Sequence, residues 1–330
     1  MLQADSEKST LVSASSAKLS SLLSSPSGSR SPSKELRQLL LLEPLPDSDA
    51  GAALRPRLWR LLLRLHELPE PAVDQGVHPL LDAQAYLDLA SRAPSPMYSK
   101  IKNDTFRTLA TDQEFLNTVG EDKLVRCLEA FVWRQLGLKN EVAPEQDTSV
   151  PYVQGQNVLA APFLYGMPSQ LEAFACFTAF IEEQVPRYVR PTLVGVHDGL
   201  QLVDSCLQIM DPELYQHLSS FNLKAEIYAF PSILTVCVAT PPLSEVLALW
   251  DFLLAWGPGL NVLCVVAQLH GIRAELLQSK APMKLLRTFP PLRSREIVPH
   301  VVQFVGVIPA SLYDAIVRHP WDDSLVLPCR

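Results

Sequence analysis

Proline placement constrains this chain more than any other feature. Its 330 residues include 28 prolines. They fall mainly between apolar segments, as at Pro186, Pro191, Pro231, Pro241-Pro242, Pro290-Pro291 and Pro309. Proline lacks an N–H and clashes with the preceding helical turn, so each is a firm stop. The segments between them carry apolar residues at the three- and four-residue spacing of an amphipathic helix. The two-residue alternation of a strand is nearly absent; Ile233 to Val238 comes nearest, and helix is preferred there too. The pattern predicts an all-α fold of many short helices packed orthogonally rather than as a simple bundle. There is no clean internal repeat, although a run of helix pairs would mimic a solenoid.

Individual helices follow from the same spacing. Residues 57–68 place arginines on one face and leucines on the others, with Pro69 as the stop. Residues 121–137 put Leu124, Cys127, Leu128, Phe131 and Leu136 on one stripe. Further helices are predicted near 157–165, 169–184, 199–209, 212–219, 243–256, 260–279 and 310–318. The most apolar zone, 243–269, is interrupted by Gly257-Pro258-Gly259, and each half is too short to span a bilayer. Two buried helices joined by a tight turn are expected there, and no membrane span.

Several function classes are disfavoured by composition. A net charge of −7 argues against nucleic-acid binding, which needs a concentrated basic face. The six cysteines, Cys127, Cys176, Cys206, Cys237, Cys264 and Cys329, form no C-x-x-C pair and read as buried free thiols of a reducing compartment. The seven histidines are scattered without zinc spacing, so no metal site is expected. With 13 glycines and no phosphate-binding loop or nucleophile elbow, the chain is expected to hold no nucleotide or cofactor of its own. The polar N-terminus has no apolar signal region.

Residues 1–34 differ from the rest. Roughly a third are serine and few are large and apolar, a composition that cannot bury enough surface to fold. They are expected to be a disordered Ser/Pro-rich tail. Within it Ser31-Pro32-Ser33-Lys34 resembles a proline-directed kinase target, with Ser31 as the candidate phosphosite and Ser25-Pro26 weaker. A linker that is never modified fits the same residues equally well.

Chemistry resides in two short polar motifs. The first is Ile101-Lys102-Asn103-Asp104-Thr105-Phe106-Arg107, followed by Thr108; the second is Tyr152-Val153-Gln154-Gly155-Gln156-Asn157. They present an arginine and a glutamine, the side-chain types that neutralise a transferring phosphoryl group and orient its attacking water. Taken alone, Ile-x-x-Asp-x-x-Arg arises by chance on the order of a few times per hundred chains, and it also fits a surface i,i+3 ion pair. The second motif is rarer and also fits a glycine turn that caps a helix.

In this order, preceded by Arg55-Pro56-Arg57-Leu58-Trp59 as an Arg-x-x-x-Trp element and followed by Leu249-Trp250-Asp251, the motifs resemble the TBC family of GTPase-activating proteins for Rab-like GTPases. One place departs from the family pattern: Ala248 stands where the family usually has an arginine. The residues 100–104, 152–159, 225–228, 231–234 and 249–252 are similar to a fungal spindle-position and mitotic-checkpoint branch, in which the domain is nearly the whole protein. The resemblance runs from about residue 36 to near residue 320.

The resemblance implies a two-lobed, V-shaped helical domain over 35–320. Its N-terminal lobe, about 35–168, would carry both fingers, its C-terminal lobe would span about 169–320, and 321–330 would be a C-terminal tail. It implies that Arg107 is an arginine finger and Gln154 a glutamine finger, acting in trans on a GTPase that carries GTP and Mg²⁺. Asp104 would orient the Arg107 guanidinium, Gly155 would let the backbone turn beside the nucleotide, and Tyr152 and Asn157 would brace the loop. Trp59 would be a buried anchor and Arg55 an internal donor behind the finger loop. The protein would then regulate an enzyme rather than be one. Its partners would be a mitotic-exit or septation GTPase and a scaffold subunit, and it would act in the cytoplasm at the spindle pole body. A GAP for a vesicle-traffic Rab and a non-catalytic scaffold that binds a GTPase are the alternatives.

Overall fold

The computed structural model describes residues 19, 21–22, 34–42, 45, 49–65, 78–139 and 151–327. Ser25, Ser31, His66, Pro69 and Cys329, and most of the proposed tail, lie outside the described residues. Within that tail, Leu19 is buried and Leu22 packs against the core.

The described residues are helical and contain no strand. The N-terminal half comprises α1 (Lys34–Leu42), α2 (Asp49–Leu62), α3 (Ala83–Ala90), α4 (Tyr98–Thr105), α5 (Gln113–Thr118), α6 (Glu121–Lys139), α7 (Gln156–Gly166) and α8 (Gln170–Ala179). There follow α9 (Val194–Met210), α10 (Pro212–Ser220), α11 (Ala225–Tyr228), α12 (Phe230–Leu234), α13 (Leu243–Trp256), α14 (Asn261–Gly271), α15 (Arg273–Gln278), α16 (Pro282–Leu286), α17 (Ser294–Val305) and α18 (Ala310–Arg318).

Local chemistry sets many of these ends. The Asp82, Asp112 and Asp211 carboxylates accept the first free N–H groups of α3, α5 and α10. Ser169 caps α8: its hydroxyl accepts the Glu172 N–H and donates in turn to the Glu172 carboxylate. Gly257, at φ 112°, ends α13 and starts the tight turn into α14 that the sequence predicts.

Some boundaries differ from expectation. The helix expected over 57–68 runs Asp49–Leu62. Burial of Leu58, Trp59 and Leu62 carries it through Pro56, and Arg64, in a left-handed conformation at φ 59°, follows its end. The helix expected over 169–184 gives way to a π turn at Phe180–Gln184, and that over 260–279 breaks at Ile272. Near Ile233 the helix stops at Leu234, with Val236 and Cys237 left-handed. Tertiary donors take the carbonyls there: the Trp250 indole donates to Val236 O at 2.9 Å and the Asn261 amide to Ser232 O at 2.9 Å.

The centre of the molecule is an aromatic cluster. Trp59 of α2, Phe163 of α7, Phe180 and Trp250 of α13 have ring centroids 5.0–6.0 Å apart. Offset and edge-on rings of this kind add to the area they bury. The cluster joins helices on both sides of residue 168, so one hydrophobic core runs through both expected lobes.

The C-terminal end is tied down by buried polar contacts. Arg187 donates to His319 O at 2.7 Å, and the Tyr188 hydroxyl lies 2.8 Å from His319 Nε2. Burial pushes the His319 imidazole down to about 3, so it is neutral. Its Nδ1–H then donates to Ile316 O, and Nε2 accepts from Tyr188. Residues 321–327, expected as a tail, bond to the same end. The Trp321 indole donates to Val317 O at 2.9 Å, and Asp322 pairs with Arg318.

Candidate functional site

The first motif spans the end of α4 and the turn after it. Ile101, Asp104 and Thr108, at i, i+3 and i+7, are all buried, and so is Thr105. That spacing is one helix face, so the polar motif residues Asp104 and Thr108 are carried inward with the apolar Ile101. A buried carboxylate must be paired. Asp104 Oδ1 accepts from Arg107 Nη2 at 2.6 Å, and its Oδ2 accepts from the Tyr152 hydroxyl at 3.0 Å. Burial first, and then the Asp104 charge, push the Tyr152 phenol well above its ordinary range, so it stays protonated and donates.

The second motif folds around the same carboxylate. Asn157, in the first turn of α7, donates from Nδ2 to Thr108 Oγ1 at 2.8 Å and to Asp104 O at 3.3 Å. Its Oδ1 accepts the Gly155 N–H at 3.0 Å. The Gln156 side chain accepts the Val153 N–H at 3.0 Å. The loop is thus bonded at 153 and 155, on either side of Gln154, whose side chain is exposed. Gly155 has φ 109°, a region that L side chains rarely adopt, and a Cβ there would lie 3.1 Å from Leu234 of α12. Lys100 Nζ sits 5.5 Å from the Tyr152 ring centroid.

Arg107 and Gln154 therefore rise into solvent from one buried hydrogen-bonded frame of Asp104, Thr108, Tyr152 and Asn157. The Arg107 side chain is 62% exposed, and the pairing to Asp104 engages one terminal nitrogen. Much of a planar, permanently charged fork is left to meet an anion.

Arg55 and Trp59 form a second junction. Arg55 donates to Asp251 of α13 through Nε at 3.0 Å and Nη2 at 2.9 Å, and the Trp59 indole donates to Asp251 Oδ1 at 2.7 Å. Burial pushes the Asp251 carboxyl up; the Arg55 guanidinium and the Trp59 donor oppose that push. Through these donors Arg55 ties α2 to α13. Trp59 also packs edge-on against Phe163 of α7, the helix whose N-cap is Gly155. Ala248 lines a cavity of about 270 Å³ beside Asp251, Phe252 and Arg295.

Motif spacing alone assigns no role to Asp251, Thr108 or Gln156. Asp251 had a signal, since a carboxylate in the middle of the apolar helix 243–256, flanked by Trp250 and Phe252, demands a partner. Burial pushes the Cys127, Cys206 and Cys237 thiols up to about 12, away from thiolate chemistry. Among the described residues no cluster of three or more His, Cys, Asp or Glu side chains could hold a metal ion. No helix among them is long and apolar enough to cross a membrane.

Comparison with known proteins adds a family. The profile of the Rab-GTPase-TBC domain matches residues 52–277. The chain is 39% identical to cell division control protein 16 of Schizosaccharomyces pombe over 290 residues, covering 88% of each chain. It is 39% identical to mitotic check point protein BUB2 of Saccharomyces cerevisiae over 298 residues, covering 89% of this chain and 94% of that one. Among solved structures, the Ypt/Rab-GAP domain of Gyp1p superimposes with a TM-score of 0.68 at 18% identity, over 89% of this chain and 97% of that one. A Chlamydomonas flagellar RabGAP TBC domain gives 0.67 at 16% identity, over 93% and 97%. These two likenesses establish the helical fold.

Proposed function

The chain belongs to the Rab-GTPase-TBC domain family, and we propose from that membership that it is a GTPase-activating protein for a Ras- or Rab-like small GTPase in mitotic checkpoint signalling. The names of its relatives in two yeasts support the checkpoint setting. In this reading it restrains mitotic exit or septation together with a scaffold subunit, in the cytoplasm at the spindle pole body. It regulates an enzyme and holds no cofactor; GTP and Mg²⁺ belong to the partner.

The observation that carries the reading is the shared frame beneath Arg107 and Gln154. Hydrolysis by an isolated GTPase is slow because charge building on the phosphoryl oxygens is poorly stabilised and water is poorly oriented. Donors held in place before the reaction stabilise that charge without reorganising. Arg107 would lie against the phosphate oxygens, its guanidinium aimed by Asp104. An arginine finger is worth about 10³ to 10⁵ in rate, or roughly 4 to 7 kcal/mol. The Gln154 amide both donates and accepts, so it can hold the attacking water and the γ-phosphate at once.

Single-turnover GTP hydrolysis by a mitotic-exit-type GTPase, with and without the scaffold subunit, tests this. Wild type should accelerate hydrolysis, and Arg107→Ala and Gln154→Ala should each lose most of the effect while still binding. No acceleration under any condition, with binding retained, would leave a non-catalytic scaffold.

A further inference from the structure

Phe106, immediately before Arg107, is 79% exposed, the most exposed aromatic side chain among the described residues. Its setting makes that exposure informative. Asp104, Thr105 and Thr108 around it all turn inward. The Phe106 backbone is helical, at φ −53° and ψ −31°, and its N–H donates to Lys102 O. The ring is therefore offered from a fixed turn. Asn103 and Ala110, three residues before it and four after, are exposed as well, and Lys102 is paired with Glu121 at 2.7 Å. The nearest exposed helical positions are thus uncharged or ion-paired, and Arg107 leaves the same turn.

We propose that Phe106 is the docking anchor for the GTP-loaded GTPase, seating its ring in an apolar depression beside the nucleotide. The inference rests on the GTPase-activating reading above and adds the chemistry of the contact. If Arg107 reaches the γ-phosphate, the side chain one residue earlier lies against the protein rim around that phosphate. In small GTPases that rim is built from segments ordered by the γ-phosphate and released on hydrolysis. A ring seated there binds better before hydrolysis than after it, so Phe106 favours the substrate state and helps the product leave. Buried aromatic anchors are the usual carriers of interface affinity. A rim of acidic side chains would instead call for a basic side chain at this position.

The test is single-turnover hydrolysis at increasing concentrations of the full-length protein, comparing wild type, Phe106→Ala, Phe106→Leu and Arg107→Ala. Phe106→Ala should raise the half-saturating concentration about 10- to 100-fold, the cost of losing an aromatic hot spot, with the maximal rate within about threefold. Phe106→Leu should recover most of the affinity. In an Arg107→Ala background, adding Phe106→Ala should narrow the preference for GTPase loaded with a non-hydrolysable GTP analogue over GDP. An unchanged half-saturating concentration in Phe106→Ala, with acceleration still sensitive to Arg107→Ala, would overturn this proposal alone. A fall in maximal rate at constant half-saturation would also overturn it, by making Phe106 a positioning residue for Arg107. A wild-type protein that neither binds nor accelerates the GTPase would overturn the underlying reading as well.

Discussion

Two arginine–aspartate pairs in this molecule have the same chemistry and opposite exposure. Arg55 meets Asp251 with both partners largely buried, at 12% and 3% side-chain exposure. Two of its nitrogens are engaged, and the Trp59 indole shares the carboxylate. Arg107 meets Asp104 through one nitrogen, with a buried carboxylate and a solvent-facing guanidinium. The first pair joins helices 196 residues apart in the chain. The second spans a single helical turn and leaves donors unspent. A saturated buried pair can only hold the structure, whereas a pair saturated on the aspartate side alone aims a cation outward. The comparison teaches that exposure of the arginine separates a structural ion pair from a poised one.

The largest expected effect belongs to the poised pair. Arg107→Ala should lower the stimulated hydrolysis rate by about 10³-fold or more, and Arg107→Lys nearly as much, since an ammonium cannot bridge oxygens as the planar fork does. Arg107→Ala should also cost about 1–3 kcal/mol of stability, because buried Asp104 loses its cation and keeps only the Tyr152 donor; chemical denaturation checks this. A loss as large as that of the saturated pair would break the comparison.

Next comes the saturated pair. Arg55→Met should destabilise the fold by about 3–5 kcal/mol, because Asp251 is left buried and unpaired. Adding Asp251→Leu should recover part of that loss, limited by the Trp59 indole left without its acceptor. Folded Arg55→Met protein should still stimulate hydrolysis. If its specific activity vanished while the fold remained, Arg55 would belong with the fingers.

Two smaller effects sharpen the boundary between the frame and the exposed side chains. Tyr152→Phe removes a donor to a buried carboxylate and should cost about 1.5–3 kcal/mol, with a modest loss of rate through Asp104. Gly155→Ala should cost about 1–2 kcal/mol, since φ 109° and the nearby Leu234 side chain disfavour a Cβ. Its stimulated rate should fall because Gln154 is the preceding residue. Melting curves and single-turnover rates of the same preparations measure both.

These pairs also show how far the sequence could be read. Arg107 and Gln154 stand out because short polar motifs interrupt apolar helices, and the capping residues Asp82, Ser169 and Asp211 mark helix starts locally. The Arg55–Asp251 partnership lay beyond pattern reading, since nothing local links residues so far apart. The inward turn of Asp104 and Thr108 was present as an i, i+3, i+7 spacing with Ile101, but polar residues at those positions masked it. Helix α17 escaped notice because Pro290-Pro291 precede it and Pro299 lies inside it. The stop at Leu234 is set by the distant Trp250 and Asn261 side chains, so the apolar run through Val238 overstated the helix.

In the proposed mechanism Arg107 and Gln154 act on one transition state from one frame. A double-mutant cycle on single-turnover hydrolysis, using Arg107→Ala, Gln154→Ala and the double variant, tests it most directly. The account predicts that each single variant loses most of the acceleration and that the double is scarcely worse than the weaker single. Full acceleration retained by either single variant, or losses that multiply as independent effects, would contradict it.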